Sequence, residues 1–325
     1  MADAILRIEE LKIHFHTFRG VAKAVDGISF DVLGGEALGL VGESGSGKSV
    51  TGMSVLGLIQ PPGKIVNGDI LYKKNSLLSM PEKELRNLRG SKISMIFQNP
   101  RTCLNPVLTI GEQIDRVYRQ HMGVSKDAVA EKRYEMLEKV GIGDPQRFSN
   151  NYPHQVSGGM CQRAMIVMAI ICQPDLIIAD EPTTGLDVTI QRQIMELLRN
   201  MRRTIGATQV LITHDLGVVA ETCNRIVVMY ASLLMEIASA ADLFSRPSHP
   251  YTIGLLKSIP RVDVDDEPIP MPGYVPNAYS RPFGCPFHPR CPFTQDICTQ
   301  SQPELLEIES GHFVACHLID EVRSA

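Results

Sequence analysis

The stretch Gly42-Glu43-Ser44-Gly45-Ser46-Gly47-Lys48-Ser49 fits the pattern G-x-x-x-x-G-K-[ST] of a phosphate-binding loop. An apolar run, Ala37–Val41, precedes it as expected of a buried strand, and a helix-compatible run, 50–59, follows. The glycines let backbone N–H groups converge on phosphates, and the helix start adds the positive end of its dipole. Lys48 is placed to reach the β- and γ-phosphates, and Ser49 offers a hydroxyl to Mg²⁺. The whole stretch therefore predicts a nucleotide site.

The composition fits a large protein without a strongly basic surface. The chain has 325 residues, 44% hydrophobic content and a formal net charge of -4. This length suggests one large domain with an appendage or two domains, and the charge does not favour a nucleic acid partner. The longest apolar run, 164–172, is far shorter than a membrane span, and the N-terminus lacks the pattern of a signal peptide. We therefore expect a cytosolic protein that meets a membrane only through a partner.

Strand and helix patterns alternate along most of the chain, which predicts an α/β fold with a largely parallel core sheet. From 99 to 152 two helical, mixed-charge stretches interrupt this alternation, and we interpret them as an inserted helical subdomain. After Phe244 the composition shifts toward proline and glycine, which indicates a C-terminal appendage. The predicted division is 1–245 and 246–325.

Two further segments carry groups suited to phosphate chemistry. The apolar run 175–179 ends in Asp180 and Glu181, at the strand end where ligands gather in nucleotide-binding sheets. Asp180 is placed to hold Mg²⁺, and Glu181 can act as a general base toward water; the alternative is a surface carboxylate pair. Ser157-Gly158-Gly159 opens a helix, where it suits an anion but, taken alone, is also an ordinary helix cap.

The order of these motifs resembles the ATP-binding cassette of ABC transporters over residues 5–245. The series comprises the phosphate loop, Gln98, Ser157 to Met160, Asp180-Glu181, Gly185-Leu186-Asp187 and Thr213-His214-Asp215. The resemblance implies an α/β P-loop NTPase fold with a mixed sheet core, an antiparallel β subdomain and the inserted helical subdomain. It also implies an ATPase that uses ATP and Mg²⁺.

The resemblance assigns roles to single residues. Gln98 would sit near Mg²⁺ and the attacking water, and His214 would contact the γ-phosphate and support Glu181. Asp187 would link the two halves of a dimer. Either Phe15 or Phe18 would stack on adenine.

Cassettes of this family pack head to tail, so that each ATP lies between the phosphate loop of one chain and the Ser-Gly-Gly motif of the other. Ser157, Gly158 and Gly159 would therefore serve the ATP bound to the partner chain. ATP would hold the dimer closed, hydrolysis would release it, and the inserted helices would carry the movement to membrane subunits.

The C-terminal part resembles the cassette subunits of dipeptide, oligopeptide and nickel importers, and most closely the D-type subunits of dipeptide permeases. The likeness rests on His249-Pro250-Tyr251-Thr252, Leu255-Leu256 and Ile259-Pro260. It implies peptide import, with nickel or another solute as the alternative. The implied partners are a second, non-identical cassette, two integral membrane permease subunits and, indirectly, an extracytoplasmic solute-binding protein. The chain would lie peripherally on the cytoplasmic face of the inner membrane.

Four cysteines, Cys285, Cys291, Cys298 and Cys316, fall within or just beyond the proline-rich segment. Their spacing is looser than that of zinc fingers, and four thiolates with Cys-Pro steps suit an iron–sulfur cluster. Members of the D-type group can carry a [4Fe-4S] cluster, so the resemblance favours this metal-binding interpretation. Zinc, reduced thiols and incidental disulfides remain alternatives.

Two rival functions come from other classes. A soluble ABC-type ATPase acting on DNA or ribosomes would be expected to carry a second cassette, a coiled coil or a basic linker, and the sequence has none of these. A phosphate-loop kinase would transfer phosphate to a small molecule, and Ser157-Gly158-Gly159 together with His214 argues against it.

Overall fold

The computed structural model describes residues 3–258 and 269–324. Its strands are β1 (Ala4–Thr17), β2 (Gly20–Leu33), β3 (Ala37–Val41), β4 (Gly63–Tyr72), β5 (Asn75–Ser76), β6 (Ile93–Ile96), β7 (Leu176–Asp180), β8 (Thr208–Thr213), β9 (Arg225–Tyr230), β10 (Leu233–Ser239), β11 (Leu306–Glu309) and β12 (His312–Val314). Its α-helices are α1 (Lys48–Val55), α2 (Glu82–Leu88), α3 (Pro100–Cys103), α4 (Ile110–Met122), α5 (Lys126–Lys139), α6 (Pro145–Ser149), α7 (Gly158–Ile170), α8 (Val188–Ile205), α9 (Leu216–Thr222), α10 (Ala240–Ser245), α11 (Pro250–Lys257), α12 (Asp296–Gln300) and α13 (Ile319–Ser324). Short 3₁₀ turns lie at Pro153–Gln155 and His288–Arg290.

The chain divides into two compact units. The first unit comprises Met1–Asp3, Leu33–Gly35 and Ser79–Val210. In it β6 pairs in parallel with β7, and every residue of both strands is buried, as expected of strands covered on both faces. Most of this unit is helical, including the predicted helices of the 99–152 segment.

The second unit comprises Ala4–Val32, Glu36–Leu78 and Leu211–Ala325. One of its sheets has the order β2-β1-β4-β5, with antiparallel pairing of β1 with β4 and of β4 with β5. Elsewhere in the unit β3 pairs in parallel with β9, whereas β9–β10, β10–β12 and β12–β11 are antiparallel. The predicted mixed and antiparallel sheets are therefore both present.

The helix after the phosphate loop ends earlier than the sequence pattern suggests. The helix-compatible run extends to Ile59, but α1 ends at Val55. Gly57 takes a left-handed conformation with φ 61°, and its N–H donates to Ser54 O while Leu58 N–H donates to Met53 O. These two bonds form a Schellman cap, and the glycine makes the left-handed turn inexpensive.

The C-terminal part is anchored to β10 through a buried carboxylate. Glu236 is 0% exposed and accepts hydrogen bonds from the N–H groups of Ser248 and His249, at 2.8 and 3.0 Å. His312 Nε2 lies 2.8 Å from Glu236 Oε1. These contacts satisfy a charge that would otherwise be costly to bury, and they tie the start of α11 and the strand β12 to β10.

In the parts of the chain that the structure describes, every helix is too short or too polar to cross a lipid bilayer.

Candidate functional site

The phosphate loop, 42–49, follows the fully buried strand β3 and leads into α1, as predicted. Gly42 has φ 146° and Gly47 has φ 103°. A Cβ atom at Gly42 would lie 2.0 Å from Met229 O, and one at Gly47 would lie 2.4 Å from Ala24 O. Both the backbone conformation and the space therefore require glycine at these two positions.

Lys48 lies within the curve of this loop and is only 5% exposed. Its ammonium donates to Gly42 O at 2.7 Å, to Glu43 O at 2.9 Å and to Ser46 Oγ at 3.3 Å. These contacts hold a point charge against the loop backbone, where it can meet the oxygens of a bound phosphate. Ser49, the predicted Mg²⁺ ligand, follows directly at the first turn of α1.

The loop residue Glu43 has two hydrogen-bond partners that the sequence motifs do not predict. Its N–H donates to Tyr251 Oη at 2.9 Å, and its carboxylate accepts from both terminal nitrogens of Arg290, at 2.7 and 3.1 Å. Burial raises the pKa of Tyr251, so its hydroxyl stays neutral. The partners lie 208 and 247 residues along the chain from Glu43, and no sequence pattern links them to it.

In the first unit, the predicted base Glu181 is held by two donors. Gln98 Nε2 and Thr184 Oγ1 both donate to Glu181 Oε2, at 2.7 and 2.8 Å. Glu181 has φ 43°, a left-handed conformation that is uncommon for a non-glycine residue, and it directly follows the buried Asp180 at the end of β7. Thr184 was not predicted; a turn in which its N–H donates to Glu181 O at 3.2 Å brings its hydroxyl to the carboxylate.

The first unit also brings several predicted residues to one cavity of ≈ 850 Å³. Its lining includes Gln98, Ser157, Gly158, Gly159, Thr184 and Asp187. Ser157 caps α7 by accepting from Met160 N–H at 3.3 Å, and Asp187 caps α8 by accepting from Ile190 N–H at 3.0 Å. Two helix N-termini thus open beside this cavity, an arrangement suited to an anion.

The other predicted nucleotide contacts lie in the second unit. His214 is exposed directly after β8, where Asp215 caps α9 by accepting from Val218 N–H at 3.1 Å. Phe15 is partly buried on β1, whereas the Phe18 ring is 95% exposed at the turn after β1. The positions of the two rings do not decide between them, so the adenine contact stays a prediction.

The predicted iron–sulfur cluster and the metal-binding role of Cys285, Cys291, Cys298 and Cys316 are wrong. Among residues 3–258 and 269–324, no group of three or more His, Cys, Asp or Glu side chains is arranged to hold a metal ion. Burial raises the pKa of Cys285 to about 12 and that of Cys291 to about 11. Cys285 and Cys298 are buried, and their backbones are joined by a Cys285 N–H to Cys298 O bond of 2.8 Å.

Comparison with known proteins agrees with this geometry. A solved dimer of the ATP-binding cassette MJ0796, in a post-hydrolysis state with ADP and Pi, matches with a TM-score of 0.65 and 26% identity. The match covers 72% of this chain and 98% of that one. The fold and the phosphate loop thus define a P-loop ATPase of the cassette type.

Sequence comparison then gives the family. Residues 25–184 match the ABC transporter family, and 235–298 match the family described as the C-terminal region of oligopeptide/dipeptide transporters. The dipeptide transport ATP-binding protein DppD of Bacillus subtilis is 47% identical, over 98% of this chain and 96% of that protein. The oligopeptide transport ATP-binding protein OppD of Escherichia coli is 46% identical, over 97% and 93% respectively.

The chain therefore belongs to the family of ABC transporter ATP-binding proteins, as its motif order predicts. It binds ATP, and its hydrolysis of ATP is coupled to transport. The ABC cassette fold predicted from the sequence is confirmed.

Proposed function

We propose that this chain is the ATP-hydrolysing subunit of an importer for dipeptides or oligopeptides. The main support is the near full-length similarity to proteins named for dipeptide and oligopeptide transport, which extends into the C-terminal part. The groups that select the solute would lie on other chains, so the substrate class is inferred from these relatives.

The proposed assembly contains a second, non-identical cassette and two integral membrane permease subunits, and an extracytoplasmic solute-binding protein delivers the solute. This chain would lie on the cytoplasmic face of the inner membrane as a peripheral subunit. We retain the division into a cassette, 1–245, and an appendage, 246–325, as part of this proposal. Within the cassette, the segment 99–152 would transmit movement to the permease.

The proposed chemistry is in-line attack of water on the γ-phosphate of ATP. Lys48 and the N–H groups of the phosphate loop would bind the β- and γ-phosphates, and His214 would contact the γ-phosphate. Glu181 would orient the water and accept its proton, held in position by the donors on Gln98 and Thr184.

Mg²⁺ is the metal that suits the predicted donors. Ser49, Asp180 and Gln98 offer only oxygen ligands, which Mg²⁺ prefers, and its charge would offset that of the phosphates. We propose these three residues as its ligands, directly or through water.

The helix tip formed by Ser157, Gly158 and Gly159 would serve the ATP of the partner cassette. Ser157 accepts one bond from its own helix, and its hydroxyl hydrogen is suited to donate to a phosphate oxygen. Asp187, at the same cavity, would link the two cassettes.

The proposal is tested by purifying the affinity-tagged full-length chain from its own membranes and measuring its ATPase activity in proteoliposomes. We expect integral membrane proteins to co-purify, and we expect di- or oligopeptides with their binding protein to stimulate ATP hydrolysis. Stimulation by Ni²⁺ but by no peptide would overturn the substrate assignment. Co-purification of nucleic acid or ribosomes without membrane proteins would overturn the transport role.

A further inference from the structure

One acidic residue of the phosphate loop, Glu43, is held through its N–H, its carbonyl oxygen and its carboxylate. Glu43 donates its N–H to Tyr251 Oη, binds Arg290 through its carboxylate, and accepts a bond from Lys48 Nζ at its carbonyl oxygen. Tyr251 belongs to α11 and Arg290 to the 3₁₀ turn His288–Arg290, so both come from the C-terminal part of the chain. The nucleotide loop is thus held by a segment outside the residues 25–184 that match the ABC transporter family.

Arg290 is itself held rigidly. Its side chain is 4% exposed, its Nε donates to Pro272 O at 2.8 Å, and one terminal nitrogen donates to Tyr230 Oη at 3.2 Å. The guanidinium carbon lies 5.7 Å from the centre of the Tyr230 ring. A planar guanidinium with this many fixed donors has little freedom to follow a displaced carboxylate.

Aromatic rings pack against the Arg290 side of this ion pair, whereas the Glu43 side chain is 27% exposed. The rings of Tyr230, Tyr251 and Phe287 pack against each other, with centroid distances of 4.6, 5.4 and 5.5 Å, and each is fully buried. Edge-to-face and tilted ring contacts at these distances are stabilising, and the packed rings cover the guanidinium of Arg290. Solvent therefore reaches the ion pair from the Glu43 side only and screens it partly.

This contact has two consequences for a bound triphosphate. Because Lys48 bonds to the carbonyls of Gly42 and Glu43, the position of Glu43 also fixes that of the ammonium group. Arg290 also offsets the charge of the Glu43 carboxylate, which would otherwise repel the phosphates. This electrostatic effect is the alternative explanation that the test below separates from positioning.

We propose that Arg290 and Tyr251 are positioning residues for ATP, through which the C-terminal part of the chain holds Glu43 and thereby sets the binding geometry of the phosphate loop. They touch the loop rather than the nucleotide. The inference rests on the proposed phosphate contacts of Lys48, but it does not depend on the transported solute.

The test measures ATP affinity and turnover separately in Arg290→Gln. We expect KM and Kd for ATP to rise roughly tenfold, as for loss of one partner of a partly buried charge pair, while kcat changes less than about threefold. Glu43→Gln in the Arg290→Gln background removes the uncompensated charge but does not restore the hold on the loop, so we expect most of the loss of affinity to remain. Full recovery of affinity would assign the effect to charge alone and contradict the positioning role. Arg246→Gln is the matched control, since Arg246 pairs with Asp242 and Glu309, and we expect wild-type kinetics.

Three outcomes decide the inference. Lys48→Ala must weaken ATP binding; if it does not, the phosphate-loop site itself is wrong. If Lys48→Ala weakens binding while Arg290→Gln keeps the wild-type KM, the positioning role is wrong although the site stands. Should Arg290→Gln fail to fold, Tyr251→Phe, which removes one oxygen atom, is expected to raise KM about threefold, as for loss of one neutral hydrogen bond. An unchanged KM in Tyr251→Phe would then contradict the inference.

Discussion

The phosphate loop and the tip of α7 are both glycine-rich helix starts, but their polar groups are used differently. In the loop, Lys48 is buried and bonds to three groups of the loop itself, and Glu43 is fixed by Tyr251 and Arg290. At the tip, Ser157 is exposed and caps its own helix.

This difference indicates how the two anion-binding elements contribute. The loop is preorganised by contacts within its own unit, so we expect it to bind nucleotide in a single chain. The tip of α7 borders an open cavity of ≈ 850 Å³, which suits a ligand presented by a second subunit. The comparison therefore predicts that variants of the loop and of the tip fail at different steps.

The largest effect is expected for Glu181→Gln, in the unit that also carries the tip. Loss of the general base should lower kcat by roughly 10²–10⁴-fold, while the loop still binds ATP. Single-turnover ATP hydrolysis and equilibrium nucleotide binding measure the two steps. Near-normal turnover in this variant would show that Glu181 is not the base.

The second largest effect is a difference in ATP binding between a variant of the phosphate loop and a variant of the α7 tip. Lys48→Ala should weaken ATP binding to the isolated chain by roughly 30-fold or more, since it removes a charge-assisted contact to phosphate. Ser157→Arg, which places a bulky side chain at the tip, should leave this binding within about twofold. Fluorescent nucleotide titration of both variants provides the measurement. Equal losses in both would mean that one chain uses both elements on the same nucleotide.

The smallest effect concerns the pH dependence of stability in the second unit. Burial lowers the pKa of His249 from 6.5 to about 4 in the folded chain, so the unfolded chain binds more protons between these values. Stability attributable to His249 is thus present above pH 6.5 and is lost as the pH falls, by about 1.6 kcal/mol between pH 6.5 and 5.

His249→Asn provides the control for this prediction. Asparagine can also accept the Tyr251 N–H, which bonds to His249 Nδ1 at 3.0 Å, but it does not titrate. Urea unfolding at pH 7.5 and pH 5 should show a smaller pH-dependent loss in the variant. An identical loss in both proteins would assign the acid sensitivity to other groups.

The sequence predicts a feature well when the residues that form it are adjacent in the chain. The phosphate loop needs eight adjacent residues, and its strand, glycines and lysine lie where the pattern places them. The buried parallel strands can be recognised in the same way, because they are short, mainly apolar runs of adjacent residues. The early end of α1 was missed because the helical pattern continues past Gly57, whose left-handed turn ends the helix.

A local sequence pattern cannot predict contacts between residues that are far apart in the chain. Arg290 and Glu43 meet only through the fold, since 247 residues separate them in the sequence. The metal-site prediction for the cysteines failed for a related reason. Their spacing in the sequence does not determine how the fold arranges the side chains, and among the described residues it forms no group able to hold a metal.

The central claim is that ATP is enclosed between the phosphate loop of one cassette and the α7 tip of another. The most direct test is sedimentation of the Glu181→Gln chain, alone and with the second cassette that co-purifies with it, with and without Mg-ATP. We predict that ATP shifts the sedimenting mass from that of one cassette to that of two in at least one of these samples. Ser157→Arg in this chain, together with arginine at the equivalent position of the second cassette, should abolish the shift. An unchanged mass with saturating ATP in both samples, or a shift that survives the tip substitutions, would contradict the account.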